Sequence, residues 1–296
     1  MTVIPILIPD GWNDYELIDT GGGMKLERFG EYIISRPDPR AIWKPRKPPA
    51  VWDTARAQYI RSTKTEGHWQ IKTPPPSPWL IRYRDMTFLL EPTAFKHIGI
   101  FPEQAVNWVW LENIIRKQPL TILNLFAYTG AATVAAARAG SRVTHLDSVK
   151  SAITWAHENA RLNNVTEKQI RWIEDDAMKF VLREAKRGNT YDGIILDPPR
   201  FGRGTKGEVW KLLDDLPRLL EACVSILSPH ARFLLVNAYT ADISATTLSQ
   251  LVSSTLVNRG GSFSYGELAL LESGDNGRLL PSGIFSRWEL PQELSL

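Results

Sequence analysis

Apolar and polar residues alternate along this chain with two different periods. From Tyr15 the period is close to two, so Tyr15–Asp19, Lys25–Phe29 and Glu31–Ser35 read as short strands of an antiparallel meander, with Gly21-Gly22-Gly23 as a turn. Trp79–Tyr83 and Met86–Leu90 read as a hairpin about Arg84-Asp85. Beyond Glu91 the period changes. Glu103–Lys117 carries Val106, Val109, Trp110 and Ile114 at helical spacing, with Pro102 just ahead, where a missing N–H costs nothing. Apolar runs at Thr121–Leu125, Arg142–Leu146, Gln169–Ile173, Tyr191–Leu196 and Arg232–Val236 read as strands. Helical patterns lie between them at Ala131–Arg138, Val149–Leu162, Asp176–Lys186 and Lys206–Leu227, the last open to bending at Pro217. Such alternation predicts an α/β domain: a parallel sheet with helices on both faces. A helix at Ile243–Val257 then precedes two strand-like runs, Ser264–Leu271 and Ile284–Leu290, joined through Ser273–Gly277 as a hairpin that adds an antiparallel strand at the sheet edge. Two regions follow: a small β region over 1–90 and an α/β domain over 91–296.

Composition narrows the class. With 296 residues, 43% hydrophobic and 23% charged, the chain can bury a full core, and no run approaches the roughly 18 apolar residues of a membrane span. Its start has two prolines and no positive leader, and its single cysteine, Cys223, suits a reducing cytoplasm. The five histidines show no metal-ligand spacing, so no metal site is expected. The net charge of +3 is uneven. Arg36, Arg40, Lys44, Arg46, Lys47, Arg56, Arg61, Lys64, Lys72, Arg82 and Arg84 face only Asp38, Asp53 and Glu66, which is +8 over one segment. The same segment holds Trp43, Trp52, Tyr59, Trp69, Trp79 and Tyr83. Basic side chains neutralise phosphates and aromatic faces stack bases, so the composition suits a nucleic acid; equally, it suits a solvated proline-rich connection whose tryptophans pack inward.

Candidate chemistry gathers at strand ends. The run Leu123-Asn124-Leu125-Phe126-Ala127-Tyr128-Thr129-Gly130 stops at a glycine and enters an alanine-rich helix, the pattern of a cofactor-binding strand, loop and helix. Asp147 closes the next apolar run, Asp176 follows the third, and Asp197-Pro198-Pro199-Arg200-Phe201 follows the fourth. In an open parallel sheet ligands bind outside the carboxyl ends of the strands, which predicts one shared crevice. A carboxylate at Asp147 suits a ribose diol, and Asp176 with the Ala177 N–H suits a purine edge. Either acid taken singly reads as well as a helix cap. A dinucleotide site calls for three glycines; this loop has one, which favours a phosphate-free adenosine cofactor over a nicotinamide.

These motifs, together with Val143–Asp147, Glu158–Asn163, Asp175-Asp176-Ala177 and the segment Phe95–Gln104, resemble those of class I S-adenosylmethionine-dependent methyltransferases, nearest the bacterial branch that modifies large-subunit ribosomal RNA. The resemblance implies a Rossmann-like seven-stranded sheet in order 3-2-1-4-5-7-6 with strand 7 antiparallel. It also implies S-adenosyl-L-methionine as cofactor, its methionine end shaped by Phe126, Tyr128, Thr129 and Gly130. Asp147, with Ser148 beside it, would hold the ribose, and Asp176 and Ala177 the adenine. Phe101 and Gln104 would cover the cofactor. Asp197, Pro198 and Phe201 would form the catalytic opening.

The acceptor atom decides what else is required. Methyl transfer from a sulfonium is an in-line displacement that needs chiefly positioning. Carbon-5 of a pyrimidine also needs a cysteine that adds covalently to the ring. Family members with that activity carry one after the fifth strand, where this chain reads Phe233-Leu234-Leu235-Val236-Asn237-Ala238-Tyr239-Thr240. Methylation of a base nitrogen in RNA is therefore expected, with Arg200, Arg203 and the glycines Gly202 and Gly204 open to following a phosphate backbone, and Tyr239 and Trp210 to stacking or rim packing. The alternatives are a noncatalytic module binding S-adenosylmethionine and RNA, or a methyltransferase acting on a protein or small molecule.

Overall fold

The computed structural model describes residues 3–63, 66–116, 118–203, 207, 209–239 and 242–290. Two compact units result: Met1–Leu7, Asn107–Leu268 and Gly283–Leu296 form one, and Ile8–Val106 with Ala269–Ser282 the other. The β unit thus differs from the 1–90 region read from the sequence: it leaves Met1–Leu7 to the larger unit, runs on to Val106 and takes in Ala269–Ser282. Lys64, Lys117, Gly204, Lys206 and Thr240, which figured in that reading, lie outside the described residues.

The larger unit is built on an eight-stranded sheet. Its spatial order is Ile6–Leu7, Ser262–Leu271, Leu279–Glu289, Phe233–Ala238, Gly193–Leu196, Thr121–Leu125, Arg142–Asp147, Ile170–Glu174. Counting along the chain from Thr121–Leu125, the order is 3-2-1-4-5-7-6, with the short Ile6–Leu7 strand added outside in parallel. Leu279–Glu289 runs antiparallel to Phe233–Ala238, as expected of strand 7. It sits inside the sheet rather than at its edge, because Phe285 and Trp288 are fully buried. One face of the sheet is sealed by Leu123, Leu125, Ile194, Leu196, Leu234 and Val236 against apolar stripes of the Ala177–Arg187, Leu212–Ser225 and Ala245–Thr255 helices.

Helix Ala131–Arg138 and strand Thr121–Leu125 match their expected bounds, as does the Trp79–Tyr83 and Met86–Leu90 hairpin. One helix differs. The pattern assigned to Lys206–Leu227 becomes helical only at Leu212, and Phe201–Arg203 pairs antiparallel with Val209–Lys211 ahead of it. Asp215 marks the true start: its carboxylate accepts the Lys211 N–H at 2.7 Å, satisfying an amide that has no partner inside the helix. Pro217 stays within the first two turns of that helix. Among the described residues no helix is long and apolar enough to cross a membrane.

The smaller unit carries a five-stranded sheet in the order Tyr15–Gly21, Met24–Phe29, Tyr32–Pro37, Ala57–Arg61, Gly67–Ile71. The first three are the expected meander. The last two lie within the basic, proline-rich segment and escaped sequence reading, since each is five residues long and mixes polar with apolar positions on both faces. Ala269–Ser282 joins this unit through charge: Arg278 donates to Asp19 at 2.9 Å, to Glu272 at 2.8 Å and to the Thr20 carbonyl at 2.6 Å.

Candidate active site

Parallel registry sets the site. Leu125 is level with Leu146 and with Leu196, and Asp147 is level with Glu174, so four successive loops leave the sheet at one rim. The ladder continues a step beyond the strands. The Ala127 N–H reaches the Leu146 carbonyl at 3.0 Å, the Asp175 N–H the Asp147 carbonyl at 3.1 Å, and the Asp197 N–H the Leu125 carbonyl at 3.4 Å. Gly130, Asp147, Asp176 and Asp197 therefore border the same rim, as their spacing required.

The first loop is held in an uncommon backbone shape. Phe126 (φ 55°), Tyr128 (φ 50°) and Gly130 (φ 81°) all take the left-handed region, which costs energy at the two aromatic residues and collects at ligand sites. A Cβ on Gly130 would stand 2.9 Å from the Ala156 Cβ, so the helix Lys150–Leu162 packs directly on the turn. Asn159 of that helix donates to the Thr129 carbonyl at 2.8 Å, and Asn163 donates to the Asn159 carbonyl at 2.7 Å. Beneath the loop, Asn124 donates to the Thr133 hydroxyl at 2.9 Å, which lies 2.9 Å from His145 Nδ1. Burial pushes His145 down to about 3, so the imidazole is neutral at ordinary pH.

Asp147 is committed to this loop without being used up by it. Its Oδ2 accepts the Tyr128 N–H at 2.8 Å and its Oδ1 accepts the Val149 N–H at 2.9 Å. Burial raises its pKa, and these backbone donors pull the other way. An ionised carboxylate offers about four lone-pair sites; the Tyr128, Val149 and Ser148 N–H groups take three, which leaves capacity for a hydroxyl donor. That donor and acceptor chemistry fits an adenosine ribose. Asp147 is not a helix cap, since Val149 occupies that position. Asp176 is one: its Oδ1 accepts the Lys179 N–H at 2.9 Å, and the buried Ala177 opens the helix behind it. The cap orients Asp176 at the rim, and both it and Ser148 are half-buried.

At the fourth strand end Asp197 is half-buried, Pro198 is buried, and Phe201 is exposed on the short Phe201–Arg203 strand. The Pro199 carbonyl accepts the Trp210 indole N–H at 2.7 Å, and the Trp210 ring lies 5.0 Å from that of Phe126, tying the fourth loop to the first. Arg200 pairs with Asp242 at 2.6 Å. Phe101 and Gln104 belong to the smaller unit, Phe101 half-buried ahead of the Pro102–Gln104 turn and Gln104 buried within it.

Sequence reading missed a buried polar chain on the fifth strand. Arg287 donates through Nε to Asn107 Oδ1 at 3.1 Å, and Asn107 Nδ2 donates to Asn237 Oδ1 at 2.9 Å. Because guanidinium only donates, this order fixes the amide orientation of both asparagines. Burial lowers Arg287 to about 10 while the rings of Phe285 and Trp110 lie 4.5 and 4.7 Å from its Cζ. Asn237 sits one residue past the Leu196–Val236 level, beside the position of Asp197. The only sequence signal was an asparagine inside an apolar strand.

Comparison with known proteins defines the class. A family profile described as S-adenosylmethionine-dependent methyltransferase matches residues 57–251, more than half of the chain, and the chain belongs to that family. S-adenosylmethionine is accordingly its cofactor. A solved S-adenosylmethionine-dependent methyltransferase from Agrobacterium tumefaciens is 44% identical, with a TM-score of 0.92 over 97% of this chain and 94% of that one. The structure of SMU.776 complexed with S-adenosylhomocysteine shares the fold at 19% identity, with a TM-score of 0.75 over 94% of this chain and 76% of that one. Curated relatives are the ribosomal RNA large subunit methyltransferases K/L of Shewanella frigidimarina, 30% identical over 152 residues, and Shewanella oneidensis, 35% identical over 152 residues. Each alignment takes in 51% of this chain, which spans only 21% of those relatives' length.

Proposed function

We propose that this protein methylates a nitrogen of a base in RNA, with large-subunit ribosomal RNA as the substrate. The relatives' names support the RNA, and so do the eight exposed basic residues of the smaller unit. The observation that carries the nitrogen is the fate of the chain's one cysteine. Cys223 is fully buried in the core of the larger unit, and burial drives its thiol pKa up, so it cannot add to a pyrimidine ring.

When bound, S-adenosylmethionine supplies a methyl group on an electrophilic sulfonium. The chain's task is then to hold and orient. In this reading Asp147 takes the ribose hydroxyls with Ser148 beside it, and Asp176 with the Ala177 N–H takes the adenine. Phe126, Tyr128, Thr129 and Gly130 border the methionine end, and Phe101 and Gln104 cover the cofactor. Asp197 accepts a proton-bearing amine of the base and aims its lone pair at the methyl, while Pro198 stiffens the loop and Phe201 contacts the acceptor base. Nothing in these roles requires a metal. Such a protein works in the cytoplasm, where ribosomal RNA is available.

Mass spectrometry of ribosomal RNA nucleosides with and without the gene tests the proposal. Loss of one N-methylated nucleoside on deletion, restored by the wild-type gene and not by Asp197→Asn, is the expected result. An unchanged nucleoside profile, with tritium from labelled S-adenosylmethionine entering protein or small molecules instead, would overturn it.

A further inference from the structure

An open pocket of about 390 Å³ lies on the smaller unit, far in sequence from the methyltransferase motifs and lined by residues of three strands and two turns. Its walls are Met24, Pro37, Pro39 and Ile60, with Gln58 and Arg61 supplying polar groups. A pocket of this size belongs to the lower range of small-ligand sites and admits one nucleoside. The lining is mainly hydrocarbon, and proline rings and a thioether are surfaces on which a flat base packs.

A buried charge cluster neighbours the lining residues along the same strands. Behind Pro37, Lys25, Arg36, Arg40 and Lys96 stand around Glu27 and Asp38. Arg36 holds Glu27 at 2.5 Å, Lys25 holds it at 3.1 Å, Arg40 holds Asp38 at 2.7 Å, and Lys96 Nζ donates to the Pro37 carbonyl at 3.1 Å. Four cations thus meet two carboxylates. Burial chiefly lowers Lys96 to about 8, with Asp38 pulling the other way and Lys25, Arg36 and Arg40 adding to the fall. Glu103 is a third acid near the group, and burial raises its pKa. Arg61 stands exposed at the mouth of the pocket.

Gln58 is half-buried, and its side-chain amide bonds none of the described residues. It can both donate and accept, which is what a base edge requires. Of the aromatic residues of the basic segment, Tyr59, Trp79 and Tyr83 are buried, and Trp43, Trp52 and Trp69 half-buried.

We propose that this pocket seats one unpaired nucleotide of the RNA substrate, the base between Met24, Ile60 and the two prolines, its edge on Gln58 and its phosphate toward Arg61. This rests on the RNA reading above and adds to it a binding site outside the methyltransferase rim. The exposed Arg61 guanidinium and the Gln58 amide in an otherwise apolar lining favour a nucleotide over an apolar peptide segment.

The test uses the full-length protein and fluorescein-labelled single-stranded RNA nonamers of A, C, G or U, read by anisotropy. Gln58→Ala and Arg61→Ala should each weaken binding about fivefold or more, Gln58→Ala with a change in base preference and Arg61→Ala with a shallower salt dependence. Photocrosslinking of a 4-thiouridine nonamer to the wild-type protein should label residues between 58 and 61, a readout that needs no variant to fold. Wild-type binding that both variants retain, with crosslinks elsewhere, overturns the pocket and leaves the RNA reading standing. Absence of any RNA binding overturns both. Displacement of bound RNA by an acidic peptide that crosslinks to the same residues assigns the pocket to protein and also overturns the proposal.

Discussion

The two units of this molecule put the same kinds of side chain to opposite uses. At the rim of the parallel sheet, acidic residues that sequence alone could take for helix caps converge with a strained loop, and only Asp176 caps a helix. In the smaller unit, a basic and aromatic segment that reads as a nucleic-acid surface divides by burial. Arg36 is buried against Glu27, and the Trp43, Trp52, Trp69 and Trp79 indoles donate to Thr20, Asp19, Thr93 and Phe29 of the unit itself. Of the two readings the composition left open, these indole bonds favour inward packing. Lys44, Arg46, Lys47, Arg56, Arg61, Lys72, Arg82 and Arg84 remain exposed. Ordered motifs carry geometry because each fixes a strand end. Composition carries no such information, because it does not say which way a side chain points.

The sharpest way to break this contrast is to remove Glu27, the acid that turns Arg36 from surface charge into structure. Arg36 and Lys25 hold its carboxyl down to about 2, against the raising effect of burial, and the Tyr15 hydroxyl donates to it at 3.0 Å. Glu27→Ala strands a buried guanidinium, and urea unfolding should show a loss of about 3–5 kcal/mol. The native carboxyl also sets an acid limit: its stabilisation is full above the unfolded value of 4.5 and is lost as pH falls toward 2. A loss near zero in Glu27→Ala would mean Arg36 escapes to solvent and belongs with the exposed bases.

Asp147 is the counterpart at the rim, where the proposed function gives the same charge type to a ligand. Asp147→Ala should weaken S-adenosylmethionine binding in calorimetry by about 1–3 kcal/mol, with a smaller change in stability. The reverse ranking would make Asp147 a loop brace through Tyr128 and Val149, and nothing more.

How much of each region could be read in advance follows from the same distinction. Strands 1 to 5 of the sheet and the four motif loops were legible because apolar runs end abruptly at Gly130, Asp147, Asp176 and Asp197, whereas the strand order came only from the family resemblance. The start of the Leu212–Ser225 helix was not, since Val209-Trp210-Lys211 fits a helical period as well as it fits the short strand it forms. The Arg287–Asn107–Asn237 chain was invisible because its members lie far apart in sequence and meet only through the antiparallel register of Leu279–Glu289. In the smaller unit the Ala57–Arg61 and Gly67–Ile71 strands were hidden by charge and proline around them.

Histidine tests the interiors of both units by pH. Burial pushes His145 in the larger unit and His97 in the smaller one down to about 3 from 6.5. The unfolded chain therefore binds protons that the folded chain refuses. Stability is complete above pH 6.5 and falls as pH drops toward 3, by up to about 1.4 kcal/mol per pH unit for each group. His145→Gln should flatten the part of this fall that belongs to the larger unit. An unaltered pH profile of its melting would show that His145 is protonated in the folded protein and that the polar chain through Thr133 is charged.

The smallest effect on stability should come from the exposed bases, which makes them the cleanest probe of what the smaller unit presents outward. Arg82 alternates with buried Ile81 and Tyr83 on its strand, so its side chain stands in solvent. Arg82→Ala should shift stability by no more than about 0.5 kcal/mol. If RNA phosphates lie along this face, the same substitution reduces the slope of log affinity against log salt by about one while leaving base preference alone. An unchanged slope removes Arg82 from the RNA path. A large loss of stability would instead place it with Arg36, and the division between buried and exposed bases would have to be drawn elsewhere.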